Sequence, residues 1–304
     1  MDLGGADGHS AAFFGAVRDF WWNHDHLELC AERLGFDQVG SVLDVGSGIG
    51  HWGRLLSHVL PAGVTCVGVD PEPRWVEEAT RRAAELGLEE RFSYLEGTAE
   101  ALPFDDSSFD LVTCQTVLIH VADPRAAIRE MLRVTKPGGL LVASEPNNRS
   151  LTLMGTSVNA DASVEEILDL VRFYATCERG KVALGEGDNS VGDLVPGYLA
   201  EEGIEDIQTY LSDKASVMVP PYETEEQQAL KAQYIADAES GGWGWTREEA
   251  ERYFVAGGGS SPDFGRSWER RLEDARRIAA ALEEGTYHSA GGDILYLVAG
   301  RKPR

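Results

Sequence analysis

An acid, a serine and three glycines crowd the end of one short apolar run. Val42, Leu43, Asp44 and Val45 are followed at once by Gly46, Ser47, Gly48, Ile49 and Gly50. The run has the length of one buried strand. Glycines at this spacing let the backbone turn sharply, tolerate positive φ and present a floor bare of side chains, which suits a nucleoside-type cofactor. The segment Gly48 to Gly53 also satisfies the dinucleotide pattern G-x-G-x-x-G, a weak signal by itself. Asp44 separates two readings, because a pyrophosphate loop gains nothing from a negative charge at the strand end, whereas a cationic ligand does. A second apolar run, Val64 to Val69, ends in Asp70 and Pro71, and the Asp70 carboxylate suits the hydroxyls of a ribose.

Three further stretches follow in order: Leu95 to Val112, with Thr98, Ala99, Leu102, Pro103 and Phe104; Thr113 to Pro124, with Gln115, His120 and Asp123; and Leu132 to Ser144, with Lys136, Pro137, Gly138 and Gly139. Together with the Gly46 turn and Asp70 they resemble the class I S-adenosylmethionine-dependent methyltransferases, in particular the broad family containing the ubiquinone-biosynthesis type of C-methyltransferase. The resemblance runs from about Val42 to Pro146, roughly a third of the chain, and four ordered motifs make it more specific than any one alone.

That resemblance implies roles position by position. Asp44 would help to hold the methionine end of the cofactor, with Gly46, Ser47 and Gly48 beneath it. Asp70 would hold the ribose, with Pro71 next to it. At Thr98 the family often carries an aspartate that accepts from the adenine amino group. Here a hydroxyl and the Ala99 backbone are left for that contact. Gln115 matches a position bordering the transferred methyl group, and His120 follows it toward the substrate side.

Structural readings stand beside these. The glycines also suit a bare strand-to-helix turn, Asp70 a helix cap ahead of Pro73, and His120 an ordinary packed or solvated histidine. Asp123-Pro124 reads as an N-cap followed by proline at the first helical position.

The elements that must position these residues alternate. Runs at Val42–Val45, Val64–Val69, Phe92–Leu95, Leu111–Cys114 and Leu140–Ser144 are short and apolar, as in parallel strands buried on both faces. Trp75, Val76, Ala79, Ala83 and Leu86 recur at helical spacing, as do Ile128, Met131 and Leu132. Lys136 to Gly139 reads as a turn. The fold expected is α/β, a Rossmann-like, doubly wound, mostly parallel seven-stranded sheet. Its ligand crevice would lie beyond the carboxyl ends of the strands, where Asp44, Asp70, Gln115 and Glu145 fall.

Beyond Pro146 the family's short ending is expanded. Ile207–Leu211 and Ile294–Ala299 read as two closing strands. Ser163 with Glu166, Thr224 with Gln227 and Thr246 with Glu249 have capping-box spacing, and a further helix reads from about Trp268 to Gly285. The expected organisation is an N-terminal helical cap over 1–36, a cofactor-binding core over 37–148, and helical lid insertions plus closing strands over 149–304. A dimer interface or an enlarged core is the alternative for the insertions. Tyr287 and His288, in the loop before the last strand, join His120 as candidate catalytic residues, with an ordinary hairpin-like turn as the alternative. The aromatic segment Ala11 to Trp22 either closes over the cofactor or covers the sheet end.

Composition narrows the function classes. The 304 residues carry 27 Lys and Arg against 51 Asp and Glu, a formal charge of −24, which disfavours a nucleic-acid partner because phosphate contacts need clustered cations. Four scattered cysteines, two of them in expected buried strands, argue against a disulfide framework and fit a cytoplasmic protein. No signal peptide, membrane span or metal cluster is read, and the oligomeric state stays open. The chain is therefore expected to use S-adenosyl-L-methionine to methylate an O, N or C atom of a small molecule or short peptide. The alternatives are an NAD-dependent oxidoreductase and a non-catalytic cofactor-binding regulatory protein.

Overall fold

The short apolar runs around Leu43, Val112 and Leu141 become strands buried on both faces of a sheet. In a computed structural model of the protein, described for residues 16–240 and 244–304, seven strands form one sheet: β1 (Ser41–Val45), β2 (Thr65–Asp70), β3 (Phe92–Glu96), β4 (Phe109–Gln115), β5 (Thr135–Pro146), β6 (Glu205–Leu211) and β7 (Leu295–Arg301). Their order is β3-β2-β1-β4-β5-β7-β6, with β7 antiparallel to both neighbours and the other pairings parallel. The order reverses between β1 and β4, the point at whose carboxyl rim sheets of this kind hold their ligands. Four helices flank the first five strands: α1 (His24–Leu34), α2 (His51–Leu56), α3 (Pro73–Glu85) and α4 (Pro124–Val134).

The core beneath that rim is continuous. Leu43, Val45, Val112, Cys114, Leu141 and Ala143 pack with Ala127, Ile128 and Met131 of α4, all at or near zero exposure. Each such Leu, Ile or Met contributes about 1.5–3 kcal/mol by leaving water, an upper figure because unfolded chains already bury some apolar surface. Helix α4 starts where the sequence indicates, with Asp123 accepting from the Arg125 and Ala126 N–H groups and Pro124 in the first turn.

Three boundaries differ from the sequence reading. Lys136 to Gly139, expected as a turn, lies within β5, because Gly138 N–H donates to Lys302 O and Lys302 N–H to Gly139 O across the C-terminal tail. Leu86, expected on the buried face of α3, is the exposed residue capping that helix. The helix expected from about Trp268 starts at Ser261, where the Ser260 hydroxyl accepts from Asp263 N–H and Pro262 occupies the first turn.

The chain divides into two units. One comprises residues 22–147, 187–213 and 294–304 and holds the sheet, together with α6 (Val195–Glu201), after the intervening helix α5 (Val164–Ala183) of the other unit. Here Arg301 donates to Leu34 O at 2.6 Å, fastening the last strand to α1.

The second unit comprises residues 1–21, 148–186 and 214–293, and of these 1–15 and 241–243 lie outside the described residues, including the start of the aromatic segment at Ala11. It contains α5, α7 (Glu225–Ser240), α8 (Arg247–Ala256) and α9 (Ser261–Glu283). All three capping boxes form, at Ser163, Thr224 and Thr246. Helices α5 and α8 approach backbone to backbone, since a Cβ built on Gly180 would lie 1.7 Å from Tyr253 O. Phe173, Tyr253, Phe254, Phe264 and Trp268 fill the space beside that contact, with the Phe264 and Trp268 rings stacked at 5.5 Å. Among the described residues no helix is long and apolar enough to cross a membrane.

Candidate functional site

The residues singled out at the carboxyl rim of the sheet meet in a network of backbone donors and buried acceptors. After β1 the chain turns through Gly46, Gly48 and Gly50, at φ +65°, +51° and +75°, all in the left-handed region that glycine tolerates. The turn is tied to β2 at two places: Ser47 N–H donates to Val69 O at 2.9 Å, and Gly48 N–H donates to the Asp70 carboxylate at 2.8 Å. The other Asp70 oxygen accepts from Glu72 N–H at 3.0 Å. Asp70 therefore joins the glycine turn to the start of α3 and does not cap that helix, whose N-cap is Glu72. Each carboxylate oxygen keeps acceptor capacity beyond these single bonds. Burial pushes the Asp70 carboxyl above its ordinary range, and the two backbone donors hold it partly back.

Asp44 lies in β1 with 1% exposure, and its carboxylate accepts from Gly53 N–H at 3.0 Å, so it steadies the first turn of α2. Two of the glycine faces expected to be bare are filled by the protein itself. Val117 occupies the space that a Cβ on Gly46 would need, and the Tyr94 ring does so at Gly50. The same ring passes over Gly68 in β2, so a glycine inside a strand is explained by a close side chain.

Gln115 ends β4 beside β1, at the point where the strand order reverses. It is 3% exposed, and neither its amide oxygen nor its amide nitrogen has a hydrogen-bond partner among the described residues. The Ser47 hydroxyl is likewise buried without a partner among them. Buried polar atoms of this kind are costly unless something satisfies them, so they mark a place for a polar ligand. Two positions earlier on the same face, Thr113 accepts from the indole N–H of Trp52 at 2.9 Å, and Trp22 packs on Trp52 at 5.7 Å. Sequence reasoning gives Trp52 no part in ligand contact, while Trp22 ends the aromatic segment expected either to close over the cofactor or to cover the sheet end.

Thr98 and Ala99 follow β3, Thr98 exposed and Ala99 buried, and Gly97 N–H anchors this loop on Asp70 O at 3.1 Å. Pro71 is exposed beside Asp70. His120 is exposed at the end of the loop after β4, with its N–H on Val117 O. Tyr287 and His288 belong to the other unit. Tyr287 is buried with Met218, Tyr222 and Leu282, and its carbonyl accepts from the Tyr222 hydroxyl at 2.7 Å. His288 is exposed there, with its N–H on the Ser157 hydroxyl. All four cysteines are buried and unbridged. Among the described residues no three His, Cys, Asp or Glu side chains gather as a metal site.

The residue that sequence reasoning placed at the rim without giving it a role is Glu145. It is fully buried in β5 and accepts from the N–H groups of Val117 and Leu118, both at 2.9 Å. The signal for it in the sequence is an acid inside an otherwise apolar strand, next to Pro146.

Residues 43–143 match the family described as a methyltransferase domain. The uncharacterized methyltransferase YcgJ of Bacillus subtilis is 44% identical over 98 residues, covering 32% of this chain and 37% of that protein. The ubiquinone/menaquinone biosynthesis C-methyltransferase UbiE of Shewanella frigidimarina is 36% identical over 173 residues, covering 57% of this chain and 63% of that protein. The matches thus span less than two thirds of these curated relatives. Among solved structures, that of YcgJ from B. subtilis has a TM-score of 0.50 at 22% identity and covers 93% of this chain and 100% of its own. The cyclase SpnF has a TM-score of 0.52 at 20% identity and covers 98% and 88%. At such identities the structural likeness bears on the fold, whereas the sequence match bears on the family. Residues 43–143 therefore match a methyltransferase domain, on a sheet of the Rossmann-like kind found in these solved structures.

Proposed function

We propose that this protein transfers the methyl group of S-adenosylmethionine to an oxygen, nitrogen or carbon atom of a small molecule or short peptide. The observation that carries the reading is the pairing, in a domain of that family, of a rim carboxylate with an orphaned buried amide. Asp70 is tied to the glycine turn, and Gln115 has two unmatched polar atoms where the strand order reverses. These residues fit the cofactor. Asp70 and Pro71 would take the ribose, Gly46, Ser47, Gly48 and Asp44 the methionine end, Thr98 and Ala99 the adenine, and Gln115 the region of the methyl group.

When bound, the cofactor supplies an already activated methyl on a sulfonium. The protein's work is then to align the acceptor and exclude water. The net negative charge of the Asp44 and Asp70 side of the crevice favours a cationic sulfur over its neutral product. A phenol, enol or amine acceptor gives up a proton, for which His120 and His288 are the candidates. Burial raises the Tyr287 phenol above its ordinary range, which suits it to donating a hydrogen bond and not to taking a proton. The helical segments 148–186 and 214–293 would supply the acceptor selectivity. A carboxylate acceptor needs no base.

Calorimetry with S-adenosylmethionine, S-adenosylhomocysteine and NAD tests the cofactor. Saturable binding of the first two and none of NAD is expected, and the reverse pattern defeats the reading. A structural neighbour is a cyclase, so turnover needs its own measurement. Mass spectrometry of extracts incubated with labelled S-adenosylmethionine should reveal a labelled small molecule or peptide. Binding without any labelled product would indicate a cofactor-binding protein that is not a transferase.

A further inference from the structure

A buried carboxylate reaches the glycine turn through one loop. Glu145 Oε1 accepts from Val117 N–H and Leu118 N–H at 2.9 Å each and from the Cys114 thiol at 3.6 Å, while Glu145 Oε2 is buried with no hydrogen-bond partner among the described residues. The loop it holds is under local constraint: Thr116 has φ +54°, and its N–H donates to Ser144 O at 2.9 Å. The loop begins at Gln115 and carries Val117, whose side chain stands on Gly46. Among the described residues Glu145 hydrogen-bonds to neither the glycine turn nor the amide of Gln115, yet it fixes the backbone that brings Val117 and Gln115 into place.

We propose that Glu145 is a positioning residue for methyl transfer, whose carboxylate locks the Gln115–Leu118 loop onto the glycine turn and so preorganises the floor and the rim of the cofactor site. This inference rests on the function proposed above. A carboxylate accepts more strongly from backbone N–H groups than a neutral acid does, so the lock tightens when Glu145 ionises. Burial pushes that ionisation up to about 7, against the pull of the Leu118 and Val117 N–H groups and the Cys114 thiol. The surrounding titratable groups are the Cys114 thiol on β4 with Asp44 beyond it, the Tyr296 phenol paired beside Glu145 on β7, Asp193 near that phenol, and His120 at the end of the loop. Burial raises both the Cys114 thiol and the Tyr296 phenol, so neither adds charge beside Glu145 near neutral pH.

The test uses the full chain and S-adenosylhomocysteine, whose neutral sulfur removes simple charge attraction from the comparison. Calorimetry from about pH 6 to about pH 8 should show the wild type gaining roughly tenfold in affinity relative to Glu145→Gln, with the two within roughly threefold at the acid end. Glutamine keeps an acceptor oxygen of the same shape but no charge. Hydrogen exchange on the free protein should show the Val117 and Leu118 amides protected in the wild type and released in Glu145→Ala. Identical pH profiles for wild type and Glu145→Gln would overturn the positioning role, as would unchanged exchange in Glu145→Ala. A wild type that binds no S-adenosylhomocysteine at any pH would instead remove the proposed function, which makes the two failures distinguishable.

Discussion

Val117 stands directly on Gly46: a Cβ built on that glycine would lie 2.4 Å from Val117 Cγ2, well inside contact distance. Gly46 also sits at φ +65°, where a side chain adds about 1–2 kcal/mol of strain. Gly46→Ala should therefore shift the glycine turn or the Val117 loop and weaken S-adenosylhomocysteine binding by roughly tenfold or more. Val117→Ala in the same background should recover part of the loss, because it removes the overlap and leaves only the backbone strain. Undiminished affinity in the single variant would show that the close contact has no bearing on the site.

Asp70 provides a second test, because both its oxygens accept from backbone N–H groups. In Asp70→Asn one of those donors would face an amide nitrogen, and the charge offered to a ribose would be lost. A fall in cofactor affinity of about 10- to 100-fold is expected by calorimetry. Since burial raises this carboxyl, wild-type affinity should begin to fall on acidification at a higher pH than an exposed aspartate would give. Asp70→Asn should lack that component of the profile, and equal profiles would argue against the assignment.

Glu145 also makes a prediction about folding. Its carboxyl ionises at about 7 when folded, against 4.5 for an ordinary glutamate, so between those values the unfolded chain binds fewer protons than the native one. Stability from this group is therefore greatest at low pH, declines as pH rises from about 4.5 to about 7, and continues level above that. The decline is on the order of 3 kcal/mol. Glu145→Gln cannot ionise, so its stability relative to the wild type should rise by that order between about pH 5 and about pH 8 in denaturant titrations. A difference that stays constant across this range would count against a buried, neutral-pH acid.

In the helical unit the sharpest test is steric. A Cβ on Gly180 would fall 1.7 Å from Tyr253 O, and one on Gly257 would fall 1.9 Å from Thr176 O, so α5 and α8 meet through their backbones. No rotamer relieves a clash with main chain. Gly180→Ala should destabilise this unit by about 3 kcal/mol or more, seen as faster hydrogen exchange around Phe173 and Phe254. At Gly185 a Cβ would meet nothing within 4 Å, although φ is +74°. Gly185→Ala should therefore cost only the smaller backbone strain of about 1 kcal/mol. Similar losses for both would mean that the helices part easily.

The chain's local chemistry is legible in the sequence itself. Short runs such as Val42 to Val45 and Leu140 to Ala143 read as buried strands, Asp123-Pro124 and the three capping boxes start helices through contacts within one turn, and glycines at 46, 48 and 50 permit a left-handed turn. Those signals act over a few residues, so the order of residues contains them, and the motif string from Asp44 to Ser144 is enough to place the fold. What depends on pairs distant in the chain appears only on folding. Arg301 reaches Leu34 O, Trp52 reaches Thr113, Tyr94 fills the space over Gly50, and Glu145 pins Val117. Such contacts are set by strand order and register, which no local pattern encodes. For the same reason the two units are assembled from interleaved segments, and Tyr287, which reads as a loop residue, is packed beside Met218 and Tyr222 by a chain that returns from far along the sequence.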